Sequence, residues 1–117
     1  MRYMLLIYAD ESAADGMTPD EMAEGLAAYQ AFNAAAAAEG ILRDGDALHA
    51  TANATTVRVR DGEAVLTDGP FAEAREQLGG YYVVECETLD QAIDAARRIP
   101  GAHYGAVEVR PLMEYTL

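Results

Sequence analysis

The sequence predicts a single α+β domain over residues 1–117, an antiparallel sheet with two helices on one face. Three observations predict it. Capping boxes open helices at Thr18 and at Thr88. An apolar strand-like segment precedes each helix, and an Asp-Gly turn joins alternating segments between the two.

Arg2 to Tyr8 (RYMLLIY) is apolar at both alternating positions, the pattern of a strand inside a sheet. It is too short for a membrane span. It also lacks the cationic lead and small-residue cleavage site of a secretory signal. Ala9 to Met17 is small, acidic and glycine-containing, and reads as a loop. Thr18-Pro19-Asp20-Glu21 then starts a helix. Thr18 caps it, Pro19 suits the first helical position and Glu21 completes the box. The helix should run to Glu39, where Gly40 stops it. Met22, Leu26, Tyr29, Asn33 and Ala36 share one stripe that should face the sheet. The alanines from Ala34 to Ala38 give strong propensity and a thin profile.

Ile41 to Asn53 is less regular, with a short strand expected near Ala47 to His49. Thr55 to Arg60 alternates Val57 and Val59 against Arg58 and Arg60. Asp61-Gly62 supplies the turn, and Glu63 to Thr67 returns as the partner strand. Asp68-Gly69-Pro70-Phe71 breaks that strand, Pro70 lacking a backbone donor. Gly80 to Cys86 is the next strand, with Gly79-Gly80 marking a bulge or a close backbone approach. The second helix carries the stripe Leu89, Ala92, Ile93 and Ala96. Arg97 and Arg98 complement its negative end, and Pro100-Gly101 terminates it. Ala106 to Arg110 alternates as the last strand, stopped by Pro111.

This order is a ferredoxin-like βαββαβ plan with an extra strand or two in the middle. The helices would cover one sheet face. Val57, Val65, Tyr82, Val84 and Val107 would be left on the other, too apolar for water. A second copy of the chain is the simplest cover, with the tail Leu112 to Leu117 crossing over to seal it.

Half the chain is apolar, 51%, enough for a core without metal or disulfide. Cys86 stands alone, so a reducing, cytoplasmic setting is expected. The formal charge is −12, and the eight basic residues are all scattered arginines. Nucleic acid and anionic membranes are thus poor partners, while the acidity itself favours solubility. No cofactor is expected. Gly79-Gly80 precedes a strand rather than a helix, which does not suit a phosphate-binding loop. His49 and His103 have no ligand-spaced companion, so no metal site is expected, and Asp44 and Asp46 around Gly45 read as a polar turn.

The segment Thr67 to Glu85 (TDGPFAEAREQLGGYYVVE) resembles the YCII-related family, in the branch named for its Asp-Gly-Pro-Phe sequence. The first strand MRYMLLIY, the helix end YQAFNAAAAAEG, the GDAL stretch at Gly45 to Leu48 and the ending VEVRP extend the resemblance over nearly the whole chain. It implies a ferredoxin-like fold in a dimeric α+β barrel with a cleft between sheet and helix. It also implies, for some relatives, company with extracytoplasmic-function sigma factors. In another branch a helix histidine is proposed to face an aspartate of the loop. Tyr29 stands at that histidine's position here, and Asp68 matches the aspartate. A phenol titrating near 10 does not shuttle protons at neutral pH as an imidazole does.

Asp68, Tyr29 and His49 are the candidate catalytic residues. In a partly dry cleft Asp68 would act as general acid or base, with Tyr29 as hydrogen-bond donor and His49 as proton shuttle. Asn33, Phe71, Tyr82 and Arg43 are the candidate ligand contacts, Arg43 for an anionic group. Each also has a structural reading: Asp68 as a turn cap, Tyr29 as a core tyrosine, Asn33 as a helix tie, Arg43 as a local ion pair. Two functions follow. One is a non-catalytic ligand-binding or regulatory module, with a sigma factor as partner. The other is a cofactor-independent isomerase, lyase or hydrolase acting on a small oxygenated molecule.

Overall fold

The computed structural model describes residues 1–115. Its strands are β1 (Arg2–Ala9), β2 (Leu42–Ala47), β3 (Thr55–Arg60), β4 (Glu63–Asp68), β5 (Gln77–Glu85) and β6 (Ala106–Pro111). Its helices are α1 (Pro19–Ala38) and α2 (Leu89–Arg98). Four strands form one antiparallel sheet in the order β2-β5-β1-β6, and among the described residues β3 and β4 pair only with each other. Without that hairpin the sheet has the ferredoxin-like order, with the first strand central and the helices as crossovers.

Both capping boxes form. Thr18 accepts from the Glu21 backbone at 3.1 Å and Thr88 from the Gln91 backbone at 3.2 Å, and each partner side chain reaches back to its cap. Gly40, at φ 77°, ends α1, and the Ile41 N–H donates back to the Ala36 carbonyl. Arg98 grips Glu39 through two 2.9 Å bonds, fastening the end of α2 to the end of α1. Asp61 and Gly62, at φ 51° and 79°, make the expected turn.

The core lies between the helices and one sheet face. Tyr3, Leu5 and Ile7 of β1, Tyr82 and Val84 of β5, Phe32 and Ala36 of α1, and the α2 alanines are buried there, with Val107 and Val109 packed against them. The sides of the sheet are therefore not as expected. Tyr82, Val84 and Val107 face the helices, in register with Leu5, Tyr3 and Ile7. The outer face carries Met4, Leu6, Tyr8 and Tyr81 instead, all half-buried. Val57 and Val65 belong to the separate hairpin and are exposed. A strand apolar on both faces leaves this choice open, and the helix docking makes it.

Other elements shift by less. The short strand expected near Ala47 to His49 is β2, which ends where that segment was to begin. Asp44 and Asp46 lie within it rather than in a turn. In the α2 stripe, Ala92, Ala95 and Ala96 are buried, while Leu89 and Ile93 remain exposed. Gly79 is the extra residue of a bulge, because Ile7 pairs with Gly80 but Tyr8 with Leu78. The tail expected to cross to a partner lies partly outside the described residues; Leu112 extends the edge by donating to the Arg2 carbonyl at 2.9 Å. None of the helices among the described residues is long and apolar enough to cross a membrane.

The radius of gyration is 16.3 Å and the extents are 48 × 46 × 18 Å. A compact chain of this length would have a radius of roughly 13 Å. The excess fits a flat body whose hairpin pairs with nothing in the main sheet.

Candidate functional site

Helix α1 is docked along only part of its length. Phe32 and Ala36 are buried, Tyr29 is half-buried, and the preceding turns leave Met22 and Leu26 each 61% exposed. The unseated part of the helix overhangs the sheet, and a cleft of about 770 Å³ opens beneath it. Leu26, Tyr29 and Asn33 form its helix side. Ile7, Gly80 and Tyr82 form its sheet side, and the loop after β1 closes one end with Ala13 and Met17.

That loop is held in place by a short network. The Glu11 carboxylate accepts from the Thr51 N–H and from its hydroxyl, both at 2.8 Å, while the Glu11 N–H donates to Gln77 at 2.9 Å. Asp10 accepts from the Ser12 N–H at 2.9 Å and from its hydroxyl at 2.6 Å, and these bonds hold its pKa below the usual value. The acidic loop is thus a structural rim.

Apart from that acidic rim and Gln77, the polar groups of the cleft are tyrosines and the Asn33 amide. The Tyr82 hydroxyl donates to Asn33 Oδ1 at 2.5 Å, and the Tyr82 ring meets Phe32 at 4.9 Å between centroids, tilted by 55°. The ring lies so close over β2 that a Cβ on Gly45 would come within 2.5 Å of it. Burial first, then the neighbouring Tyr104, pushes the Tyr29 phenol well above its ordinary 10.0. Burial also raises Tyr82. Both phenols are protonated at neutral pH and do not act as bases there, and Tyr82 commits its proton to Asn33.

The candidate residues divide sharply. Tyr29, Asn33 and Tyr82 are brought together on the cleft. Asp68, His49, Phe71 and Arg43 are not among its lining residues. Asp68 ends β4 and is exposed, opposite Thr55 in the hairpin. The bend after it is fastened through backbone: the Gly69 N–H donates to the Ala54 carbonyl at 2.7 Å, and the Thr56 hydroxyl donates to the Gly69 carbonyl at 2.8 Å. Phe71 is 77% exposed, with the Arg58 guanidinium 5.6 Å from its ring centre. Arg43 donates to the Gly40 carbonyl at 2.8 Å and so serves the end of α1. His49 is exposed beyond β2.

Several cleft residues carry no chemical signal in the sequence. Gly45 reads there as part of a polar turn and of the GDAL stretch; behind the cleft, Gly101 reads as a helix stop, although a Cβ there would crowd the Tyr29 hydroxyl. Met17 and Leu26 read as ordinary apolar residues. What could have flagged Leu26 is the polar residue two stripe positions further on, Asn33, because a stripe that mixes an amide with large apolar groups suits a partly wet wall better than a closed core.

Residues 1–116 match the model of the YCII-related domain. The chain is also similar to an uncharacterised protein of Rhizobium meliloti (strain 1021), 38% identical over 117 residues, a span that takes in 98% of this chain and 94% of that protein. The whole-length match and the four-stranded sheet in ferredoxin-like order agree, and the chain belongs to the YCII-related family.

Proposed function

We propose that this protein is a non-catalytic small-molecule-binding module, working as a homodimer, with the cleft under α1 as its ligand site. The observation that carries the reading is the overhang of α1. Leu26 is held 61% exposed above a cleft of about 770 Å³ with mostly apolar walls, a size and character suited to a small organic ligand. Proton-transfer chemistry by Asp68 with Tyr29 draws no support from this arrangement, because Asp68 is exposed on the hairpin and does not line the cleft.

The homodimer is supported by apolar surface that a single copy leaves in water. Val57, Val59 and Leu66 share one hairpin face and are 59%, 61% and 66% exposed. A two-stranded hairpin alone is marginally stable, so such a face needs a cover. A regulatory form of the reading, with an extracytoplasmic-function sigma factor as partner, follows from the resemblance alone. It stands or falls on whether the two co-purify.

The chain has no tryptophan, so one placed in it reports a single position. With Leu26→Trp, titration of apolar small molecules should change the emission of that tryptophan. With Leu66→Trp on the hairpin the same molecules should leave it unchanged. A library that moves neither, or moves both alike, removes the cleft as the ligand site.

A further inference from the structure

We infer that the cleft takes an uncharged, mainly apolar molecule bearing a hydrogen-bond-accepting oxygen, such as a ketone, ester or lactone, and turns carboxylates and phosphates away. The inference rests on the binding reading above and adds the ligand's chemistry to it.

The charge around the cleft comes first. Its charged lining residues are Asp10, Glu11 and Asp46, all acidic, with no arginine or lysine among the described lining residues. Most of the arginines are engaged away from the cleft. Arg98 holds Glu39, Arg97 holds Asp94, Arg110 holds Glu108, Arg2 holds Glu114, and Arg43 serves the end of α1. Arg58 and Arg60 belong to β3 of the hairpin, and Arg75 acts on Asp10 at the rim without itself lining the cleft. An anion entering the cleft would lose hydration, meet no cation among the described lining residues, and face a protein of formal charge −12.

The carboxylates do not form a seat for a cation either. Both Glu11 oxygens accept from Thr51, and Asp10 accepts twice from Ser12. Asp46 lies by the Tyr81 hydroxyl, 3.4 Å away, on the outer-face side of β2. An ammonium would find general attraction but no free pair of oxygens to chelate it.

What the cleft offers is donors. Tyr29 and Tyr104 both line the cleft, and their phenols carry protons to donate at neutral pH. Asn33 uses Oδ1 to accept from Tyr82, which leaves its amide nitrogen to donate. These donors beside apolar walls match an acceptor oxygen on an apolar body.

The test uses three probes of one shape, methyl naphthyl ketone, naphthoate and naphthylmethylammonium, with binding read by saturation-transfer NMR and equilibrium dialysis. The ketone should bind at least about tenfold tighter than naphthoate, with the ammonium between them. Leu26→Arg, at an exposed position that should tolerate it, places a cation on the wall and should shift the ratio toward naphthoate. Naphthoate binding as tightly as the ketone, or a ratio untouched by Leu26→Arg, overturns the inference while leaving the cleft as a binding site. Failure of all three probes to bind overturns both readings.

Discussion

Val84 and Val57 sit in strands of similar alternation, and their surroundings are opposite. Val84 is fully buried between α1, α2 and the neighbouring strands, whereas Val57 is 59% exposed on a hairpin that pairs only with itself. The difference lies in what crosses over them. Each crossover helix returns the chain to the main sheet and lays an apolar stripe on it, while the Asp61-Gly62 turn returns the chain in two residues and lays down nothing. The stability of a single copy should therefore reside in the sheet with its helices. The hairpin should contribute to association.

Leu5→Ala gives the largest expected effect on the sheet side. Leu5 is 0% exposed and central in β1, between Tyr82 and Val109. Truncating a fully buried leucine costs about 2–5 kcal/mol from lost transfer free energy and the cavity left behind. Urea denaturation of the purified variant measures it. A loss below about 1 kcal/mol would mean that the core is not where the packing puts it.

Gly45→Ala comes next and acts on the cleft as well as the fold. The added methyl would come within 2.5 Å of the Tyr82 ring and 3.1 Å of the Tyr81 carbonyl. The ring can yield and the backbone less so, so overpacking should cost about 1–3 kcal/mol. Displacing Tyr82 should also break its bond to Asn33 and weaken ligand binding. Gly45→Ala with unchanged stability and unchanged binding would show that β2 does not press on Tyr82.

Alkaline pH separates the two regions without a core mutation. Tyr29 has a folded-state pKa raised above its ordinary 10.0, chiefly by burial, and Tyr82 is raised for the same reason. Below the ordinary value both states hold the phenol neutral, and stability does not depend on it. Above 10.0 the unfolded chain releases the proton while folded Tyr29 does not, so stability should fall as pH climbs from there toward the raised folded value. Tyr29→Phe should flatten part of that fall. Equal slopes for parent and variant in urea midpoints across this window would place the Tyr29 hydroxyl in water.

Much of the fold was legible because its signals are local. Thr18 with Glu21, Thr88 with Gln91, and Asp61-Gly62 each fix their own backbone through neighbours a few residues away, and all three form as the sequence suggests. The sides of the sheet were not legible. Met4, Leu6 and Tyr8 alternate with Tyr3, Leu5 and Ile7, both sets apolar, and only helix docking tells them apart. The site was half legible for the same reason. Tyr29 and Asn33 share a helix stripe that had to meet the sheet. The Asp-Gly-Pro-Phe bend is distinctive in residue type, but its position depends on where the hairpin projects, and no local signal in Thr55 to Asp68 sets that.

The smallest expected effect on stability, and the one that most sharpens the contrast, is Leu66→Ser. Leu66 is 66% exposed and pairs with Val57 on the apolar side of the hairpin. In a single copy the substitution removes little buried area, so unfolding at low protein concentration should change by no more than about 0.5 kcal/mol. Where the hairpin meets a second copy, the same change places a hydroxyl where a leucine was covered. The sedimentation coefficient at micromolar concentration should then drop toward that of the monomer, while the far-ultraviolet spectrum stays that of the parent. A parent that already sediments as a monomer, or a Leu66→Ser dimer as tight as the parent's, would show that the hairpin's apolar face is covered by something other than another copy of the chain.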